Sequence, residues 1–261
     1  MKLTRLFKNL LIVLCLLTSS CATVSAPDER DPWESFNRSI YSFNDVFDKA
    51  IARPVANAYQ AVLPDFIETG ISNFFGNLGE VVVIVNDLLQ FKFEQAVQDF
   101  IRLLMNTTFG LLGFFDVASH MELPAHNEDF GQTLATWGVG DGAYMVLPFL
   151  GPSSVRDTAG LVVDFSFLDP VTFIEDDEVR WSLIALRAVD KRADLLEATR
   201  IMEKSGIDPY VFIRTAYYQI RENQIYDGNP PLPPTDIKAP TQEDLLLEDE
   251  LEKELLLDSV K

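Results

Sequence analysis

The chain has 261 residues, and 21 Lys and Arg against 40 Asp and Glu leave a formal charge of −19 with both His neutral. So acidic a composition argues against nucleic acid as a partner, because duplex binding needs a basic face. With 48% apolar residues, 19 Phe and a mean hydropathy of +0.08, the chain is also too apolar to be disordered throughout.

Lys2, Arg5 and Lys8 precede an unbroken apolar run from Leu10 to Leu17. A charged stretch followed by an apolar run too short to span a bilayer reads as a secretory signal. The two cysteines are Cys15, inside that run, and Cys21, directly after Leu17-Thr18-Ser19-Ser20. Small residues before a cysteine at this place resemble a bacterial lipobox, with Thr18 where an aliphatic residue is usual. The plainer alternative is an ordinary signal with a stray cysteine. Cleavage before Cys21 leaves 261 − 20 = 241 residues whose single thiol carries lipid, so no intramolecular disulfide forms. Ala22, rather than Asp, follows the cysteine, which resembles sorting to the outer membrane, where several acyl chains anchor stably. No later segment reaches the ~20 apolar residues of a spanning helix. The strand alternation of an outer-membrane barrel is missing as well.

Asp31-Pro32-Trp33-Glu34 reads as a helix start: Asp31 to cap, Pro32 in the first turn, Glu34 to return the capping-box bond. Trp33, Phe36, Ile40, Phe43, Phe47 and Ala50 then recur on one helical stripe, up to a break or restart at Pro54. Further helices are expected over Val55–Leu63, Asp65–Phe75, Glu80–Gln90 and from Phe93, where Phe93, Val97, Phe100, Ile101 and Leu104 share a face. From Phe130 to Pro170 glycine and proline dominate. Short extended pieces are expected there around a turn at Gly140-Asp141-Gly142, then a helix from Ser153 to Val163 capped by Ser153 or Ser154. Glu178–Lys204 reads as one long charged helix closed by Gly206, and Asp208-Pro209 starts the next, to about Ile225. Gly228 to Pro240 holds five prolines, a semi-rigid linker, and Asp244–Asp258 reads as an acidic amphipathic helix.

The fold class is therefore mostly α. Residues 33–118 hold 12 Phe with 10 acids and 5 bases, whereas residues 175–261 hold one Phe with 20 acids and 11 bases. The Phe stripes have two readings, an ordinary helical core or faces turned to lipid by helices lying in an interface. Composition leaves both open.

No catalytic or metal cluster emerges. His120 and His126 do not share a helical face and no cysteine accompanies them, whereas zinc needs three or four converging ligands. No Gly-x-Ser-x-Gly elbow is present and no nucleophile–base pair can be named, so the chain does not read as an enzyme. Gly138, Gly140 and Gly142 lack the spacing of a dinucleotide fingerprint. Arg156-Asp157 reads first as a helix start, and second as a contact to lipid phosphate.

Several blocks occur in order: Asp31-Pro32-Trp33-Glu34-Ser35-Phe36-Asn37-Arg38, Arg53-Pro54-Val55-Ala56, Asn73-Phe74-Phe75-Gly76-Asn77-Leu78, Asn106-Thr107-Thr108, Phe130-Gly131-Gln132-Thr133-Leu134, Trp137-Gly138-Val139-Gly140, Leu147-Pro148-Phe149-Leu150-Gly151-Pro152-Ser153 and Arg156-Asp157. Over about Asp31 to Tyr226 they resemble the MlaA (VacJ) outer-membrane lipoproteins of Gram-negative bacteria. Val81 and Ala143 stand where that family often has Pro.

The resemblance implies a ring of amphipathic helices lying in the outer membrane around an amphipathic channel, with a short glycine-rich hairpin and a detached C-terminal helix. It implies residues 1–20 as signal peptide, 21–30 as tether, 31–227 as the helical membrane domain, 228–240 as linker and 241–261 as tail. Mislocalised phospholipid would leave the outer leaflet through the channel for the periplasmic carrier MlaC, maintaining lipid asymmetry, in association with a trimeric porin and without a cofactor. The competing reading is a structural or envelope-assembly lipoprotein without lipid transport.

On this resemblance Cys21 is lipidated and anchors the chain on the periplasmic side. Gly138, Gly140, Gly142, Asn106, Thr107, Arg156 and Asp157 are candidates for the channel and its gate. Trp33, Phe74, Phe75, Phe114 and Phe115 are candidates to face lipid. Leu247, Leu251 and Leu255 would enter a groove of the carrier, against the alternative of a solvated tail, since residues 241–261 carry 8 acids and 2 bases.

Overall fold

The computed structural model describes residues 28–231. Cys21, the signal, most of the linker and the tail with Leu247, Leu251 and Leu255 lie outside the described residues. Helices α1 (Glu34–Phe47), α2 (Arg53–Val62), α3 (Asp65–Leu89) and α4 (Phe93–Thr108) come first, followed by short α5 (Val117–His120) and α6 (Phe130–Thr136). Strands β1 (Tyr144–Leu147) and β2 (Gly151–Ser154) form an antiparallel hairpin. Helices α7 (Val155–Val163), α8 (Asp177–Asp194), α9 (Leu196–Lys204) and α10 (Pro209–Ile225) complete the fold. No helix among the described residues is long and apolar enough to cross a membrane.

The helices turn their polar faces inward. Along α1 the buried residues are Glu34 and Asn37, while Trp33, Phe36 and Phe43 of the apolar stripe are exposed. Along α4, Ala96, Asp99, Arg102 and Asn106 are buried, and all five residues of the Phe93 stripe are exposed, Phe93 itself at 60%. Among the described residues 21 polar or charged side chains are buried against 11 hydrophobic ones. A water-soluble fold of this size inverts that ratio, and contiguous exposed apolar surface beyond a few hundred Å² marks an interaction or membrane-facing surface. The stripes are therefore not core stripes.

Buried polar groups must find partners, and here they act as the connectors between elements. Asn37 and Asn44 lie two turns apart on α1. The Asn37 amide donates to the Tyr144 carbonyl (3.0 Å) and accepts from Val146 N (3.0 Å). The Asn44 amide donates to the Leu147 carbonyl (2.9 Å) and accepts from Phe149 N (2.8 Å). Two helical turns rise about 11 Å, close to the ~10 Å of three strand residues, so two side chains satisfy the free edge of β1 as a third strand would.

Several expectations need correction. Asp31 does not cap α1. It is buried and accepts from Asn37 (2.8 Å), from the Tyr210 hydroxyl (2.5 Å) and from Arg214 (2.7 Å). Glu34 pairs with Arg38 and Arg214 instead of closing a capping box. The restart expected at Pro54 is present: α1 ends at Phe47, a wide π-turn Asp48–Ala52 follows, and α2 begins at Arg53 with Pro54 in its first turn. The two helices expected between Asp65 and Gln90 are one, α3. It runs through Gly76 and Gly79, where nothing lies within 4 Å of an added Cβ, and through Val81, which keeps its N–H. The long charged helix breaks at Leu195 into α8 and α9. The hairpin turn lies at Pro148-Phe149-Leu150, with Phe149 at φ +64°, while the Gly138–Gly142 segment is a loop between α6 and β1. The α7 start is as expected: Ser154 Oγ accepts from Asp157 N (3.1 Å).

Candidate functional site

A series of adjoining open cavities lies between the elements. The largest, about 620 Å³, lies between the hairpin, α7, α9 and α10. Its walls are apolar, with Leu147, Leu161, Met202, Phe212 and Ile220, and it carries a polar group of Asp129, Asp157 and Arg221. A second of about 590 Å³ shares Leu150, Leu161, Asp164 and Leu195 with the first, and adds Arg187, Lys191 and Arg192 from α8. A third of about 480 Å³ shares Gly79, Val82, Arg187 and Lys191 with the second and is otherwise mostly polar, with Asn77, Glu80, Arg102, Asn106 and His126. The series thus grades from apolar to polar walls, which suits a molecule with both tails and a charged head.

Arg221 on α10 ties the polar group of the first cavity together. It bonds Asp129 through both terminal nitrogens, Nη1 to Oδ2 at 2.5 Å and Nη2 to Oδ1 at 2.7 Å. It also reaches Asp157 on α7, Nε to Oδ2 at 2.7 Å and Nη2 to Oδ1 at 3.0 Å. Asp157 further accepts from Arg156 Nε (2.9 Å) and from the Tyr217 hydroxyl. Burial alone pushes the Asp157 carboxyl up, but the Arg221 charge and these hydrogen bonds outweigh it and hold it below the usual carboxylate range. Glycine makes this closeness possible. A Cβ on Gly131 would stand 2.4 Å from Arg221 Nη2, and one on Gly160 would stand 2.3 Å from Gly131 N, so α6 and α7 meet backbone to backbone.

The third cavity borders a buried acidic group. His126 Nδ1 lies 2.8 Å from Asp99, and Glu80 accepts from Arg102 Nε (3.2 Å). Burial raises Asp87, helped by the Asp99 carboxyl beside it. Burial also pushes Glu80 up from 4.5 to about 7, with the Asp99 charge adding and Arg102 opposing. A folded value above the unfolded one means that the native state holds the proton more tightly. Stability from Glu80 is thus fully present below about pH 4.5 and is lost as pH rises through about 7. Glu80→Gln keeps an acceptor for Arg102. It is expected to melt higher than the wild type at pH 8 and equally at pH 4, and an equal offset at both pH values would contradict this origin. His120 Nδ1 faces the Asp116 carbonyl (3.0 Å), and no group of three or more His, Cys, Asp or Glu among the described residues is placed to hold a metal ion.

The residues singled out from sequence are dispersed across this architecture. Asn106 is buried at the third cavity, donating to Asp116 (3.0 Å) and accepting from Ala118 N (2.9 Å). Thr107 borders none of these cavities and accepts from Asn77 (2.9 Å). Arg156 and Asp157 stand on opposite sides of a partition: Asp157 lines the first cavity, Arg156 a separate one of about 410 Å³ with Gly138, Gly140 and Asp141. That separate cavity meets the first only at Arg221, and Arg156 pairs with Asp141 there. Gly138 and Gly142 have positive φ (+88° and +69°), which favours glycine, while Gly140 does not.

Among the candidates to face lipid, Trp33 and Phe115 are exposed. Phe75 is buried and lies beneath the Arg187 guanidinium, 5.6 Å from the ring centre, so it belongs to the interior. Phe74 is half-buried edge-on against it at 5.3 Å, and Phe114 is half-buried with its ring in the notch left by Gly70. Sequence reasoning missed Asp129, Arg187, Lys191, Arg192 and Arg221. The 3–4 spacing of Ile184, Arg187, Ala188, Lys191 and Leu195 was the available signal.

The sequence profile of the MlaA lipoprotein family matches residues 29–224. Over 221 residues the chain is 38% identical to the intermembrane phospholipid transport system lipoprotein MlaA of Escherichia coli K12, covering 81% of this chain and 85% of that one. The protein of the same name from Haemophilus influenzae is 34% identical over 231 residues, 87% of this chain and 90% of its own. An uncharacterized Rickettsia felis protein is 34% identical over 195 residues, 75% of this chain and 78% of its own. A solved structure from work on the structural basis for maintenance of bacterial outer membrane lipid asymmetry is similar with a TM-score of 0.66 and 32% identity, covering 76% of this chain and 99% of that one. With three quarters of its length inside the profile and more than four fifths of two curated relatives covered, the chain belongs to the MlaA lipoprotein family.

Proposed function

We propose that this protein removes mislocalised phospholipid from the outer leaflet of the outer membrane through its adjoining cavities and passes it to the periplasmic carrier MlaC, maintaining lipid asymmetry. The observation that carries the reading is the inverted polarity. Exposed Phe, Leu and Ile lie outside, polar groups lie inside, and the adjoining cavities between the elements grade from apolar to charged walls. A fold held in lipid gains by exposing apolar side chains and by satisfying polar groups inside. Lipidation at Cys21 tethers it to the membrane, a trimeric porin is its neighbour there, and the acidic tail engages the carrier. The Gly138–Gly142 loop lends itself to motion at the edge of the passage, because Gly138 and Gly140 have nothing within 4 Å of an added Cβ.

The test is complementation of a deletion strain. Wild-type protein is expected to clear phospholipid from the cell surface and restore detergent resistance. Ala216→Trp, which places an indole in the largest cavity, is expected to fold and to fail. Full clearance by the filled variant would contradict passage through that cavity, and normal surface lipid in the deletion strain would favour an envelope-assembly role.

A further inference from the structure

We propose that the cavity-facing stripe of α8 is a binding station for the phosphate of a lipid headgroup, with Lys191 as the cation that meets it; this rests on the reading of the cavities as a lipid passage. Ile184, Arg187, Ala188, Lys191 and Leu195 repeat at helical spacing, and all five line the 590 Å³ cavity. The opposite face of α8 fixes them. Asp190, fully buried, accepts from the Tyr59 hydroxyl and from Ser72 Oγ, both at 2.9 Å, and Ala193 packs on Ala56.

The three cations of this wall are not equivalent. Arg187 is held by Asp169 (Nη2 to Oδ2, 2.7 Å) and by the Phe75 ring. Arg192 is held by Asp48 (Nη2 to Oδ2, 3.0 Å). Lys191 forms no ion pair among the described residues and lines both the second and the third cavity. Asp169 is engaged by Arg187, and Asp164 accepts from Asn86 (3.1 Å) and Phe130 N (2.9 Å), so neither acid lining the second cavity pairs with Lys191. Three cations against two acids leave this lining positive, and Asp194, one turn along α8 and outside the lining, also feels the Lys191 charge.

Leu150, Leu161 and Phe165 line the same cavity as the cations. A ligand that uses both walls joins an anionic group to acyl chains. An ammonium on a flexible stem suits phosphate as a point charge, and its place between the two cavities suits a headgroup that stays in contact while the tails move along the apolar side. Free phosphate would leave the apolar wall unused.

The experiment uses the full lipidated chain in detergent, offered phosphatidylglycerol, diacylglycerol of the same chains, or inorganic phosphate, with bound ligand counted by native mass spectrometry. Wild type is expected to retain phosphatidylglycerol over diacylglycerol. Lys191→Glu should lower phosphatidylglycerol retention by roughly tenfold or more, the loss expected for one charge-assisted hydrogen bond. Lys191→Arg should restore it, and diacylglycerol retention should not change in either variant. Undiminished phosphatidylglycerol binding by Lys191→Glu overturns the station and leaves the passage standing. An equal loss of both lipids reports a damaged fold and overturns it too, as does phosphate binding as tight as lipid binding. Failure of wild type to retain either lipid overturns the passage itself.

Discussion

Arg221→Leu is expected to lower folding stability by about 3 kcal/mol, the lower end of the cost of leaving a buried charge without its partner. Two carboxylates lose that partner at once. Asp157 keeps Arg156 and the Tyr217 hydroxyl, and Asp129 is 37% exposed, but both bind the one guanidinium, which is 10% exposed and joins the α6 cap, α7 and α10. For a chain of this size the loss corresponds to a fall in melting temperature of roughly 10 °C, readable by thermal unfolding in detergent. The Asp157 carboxyl, held low by Arg221, should move upward in the variant, so the destabilisation should shrink as pH falls and Asp157 protonates. A variant that melts within about 2–3 °C of wild type, the shift of about 1 kcal/mol, would show that the clamp is not a structural joint.

Gly160→Val should be nearly as severe for a different reason. A Cβ there lands 2.3 Å from Gly131 N and 2.7 Å from Gly131 Cα, both backbone atoms that cannot turn aside. Forcing α6 and α7 apart costs about 1–3 kcal/mol as overpacking, and it also moves Gly131, against which the Arg221 clamp is closed. Gly76→Ala is the matched control, since nothing lies within 4 Å of its Cβ position inside α3. It should leave stability unchanged or raise it by about 0.5–1 kcal/mol. Equal melting temperatures for Gly160→Val and wild type would rule out the glycine contact as a joint between the helices.

These two sites also mark where sequence reading stops. Helical periodicity located α1, α4, α7 and α10 well, because a repeated apolar step depends only on local geometry. It could not tell which way the stripe at Phe36 and Phe43 faces, since a face turned to lipid and a face turned to a core obey the same period. The Asp31 error has a related cause. Asp-Pro followed by Glu three residues on fits a local cap, but the partners that claim Asp31 are Tyr210 and Arg214, 179 and 183 residues away. Arg221 finds Asp129 and Asp157 across 92 and 64 residues. Partners that distant leave no mark in spacing.

The cavity stripe of α8 was within reach. It was hidden by reading Glu178 to Lys204 as one long charged helix when Leu195 divides it in two. The ordered motif blocks, by contrast, carried the family assignment although several of their residues, Phe75 and Thr107 among them, took places other than those expected.

The proposed function requires the cavities between these elements to hold phospholipid. Its most direct test is a photocrosslinking residue at Ala216, in the wall of the largest cavity, activated in living cells and followed by mass spectrometry of the purified protein. Covalent phospholipid adducts are predicted at Ala216, with their yield falling when Leu161, which lines the same cavity, is replaced by Trp. Folded protein crosslinked at Ala216 to other protein alone, with no lipid adduct, would contradict the claim.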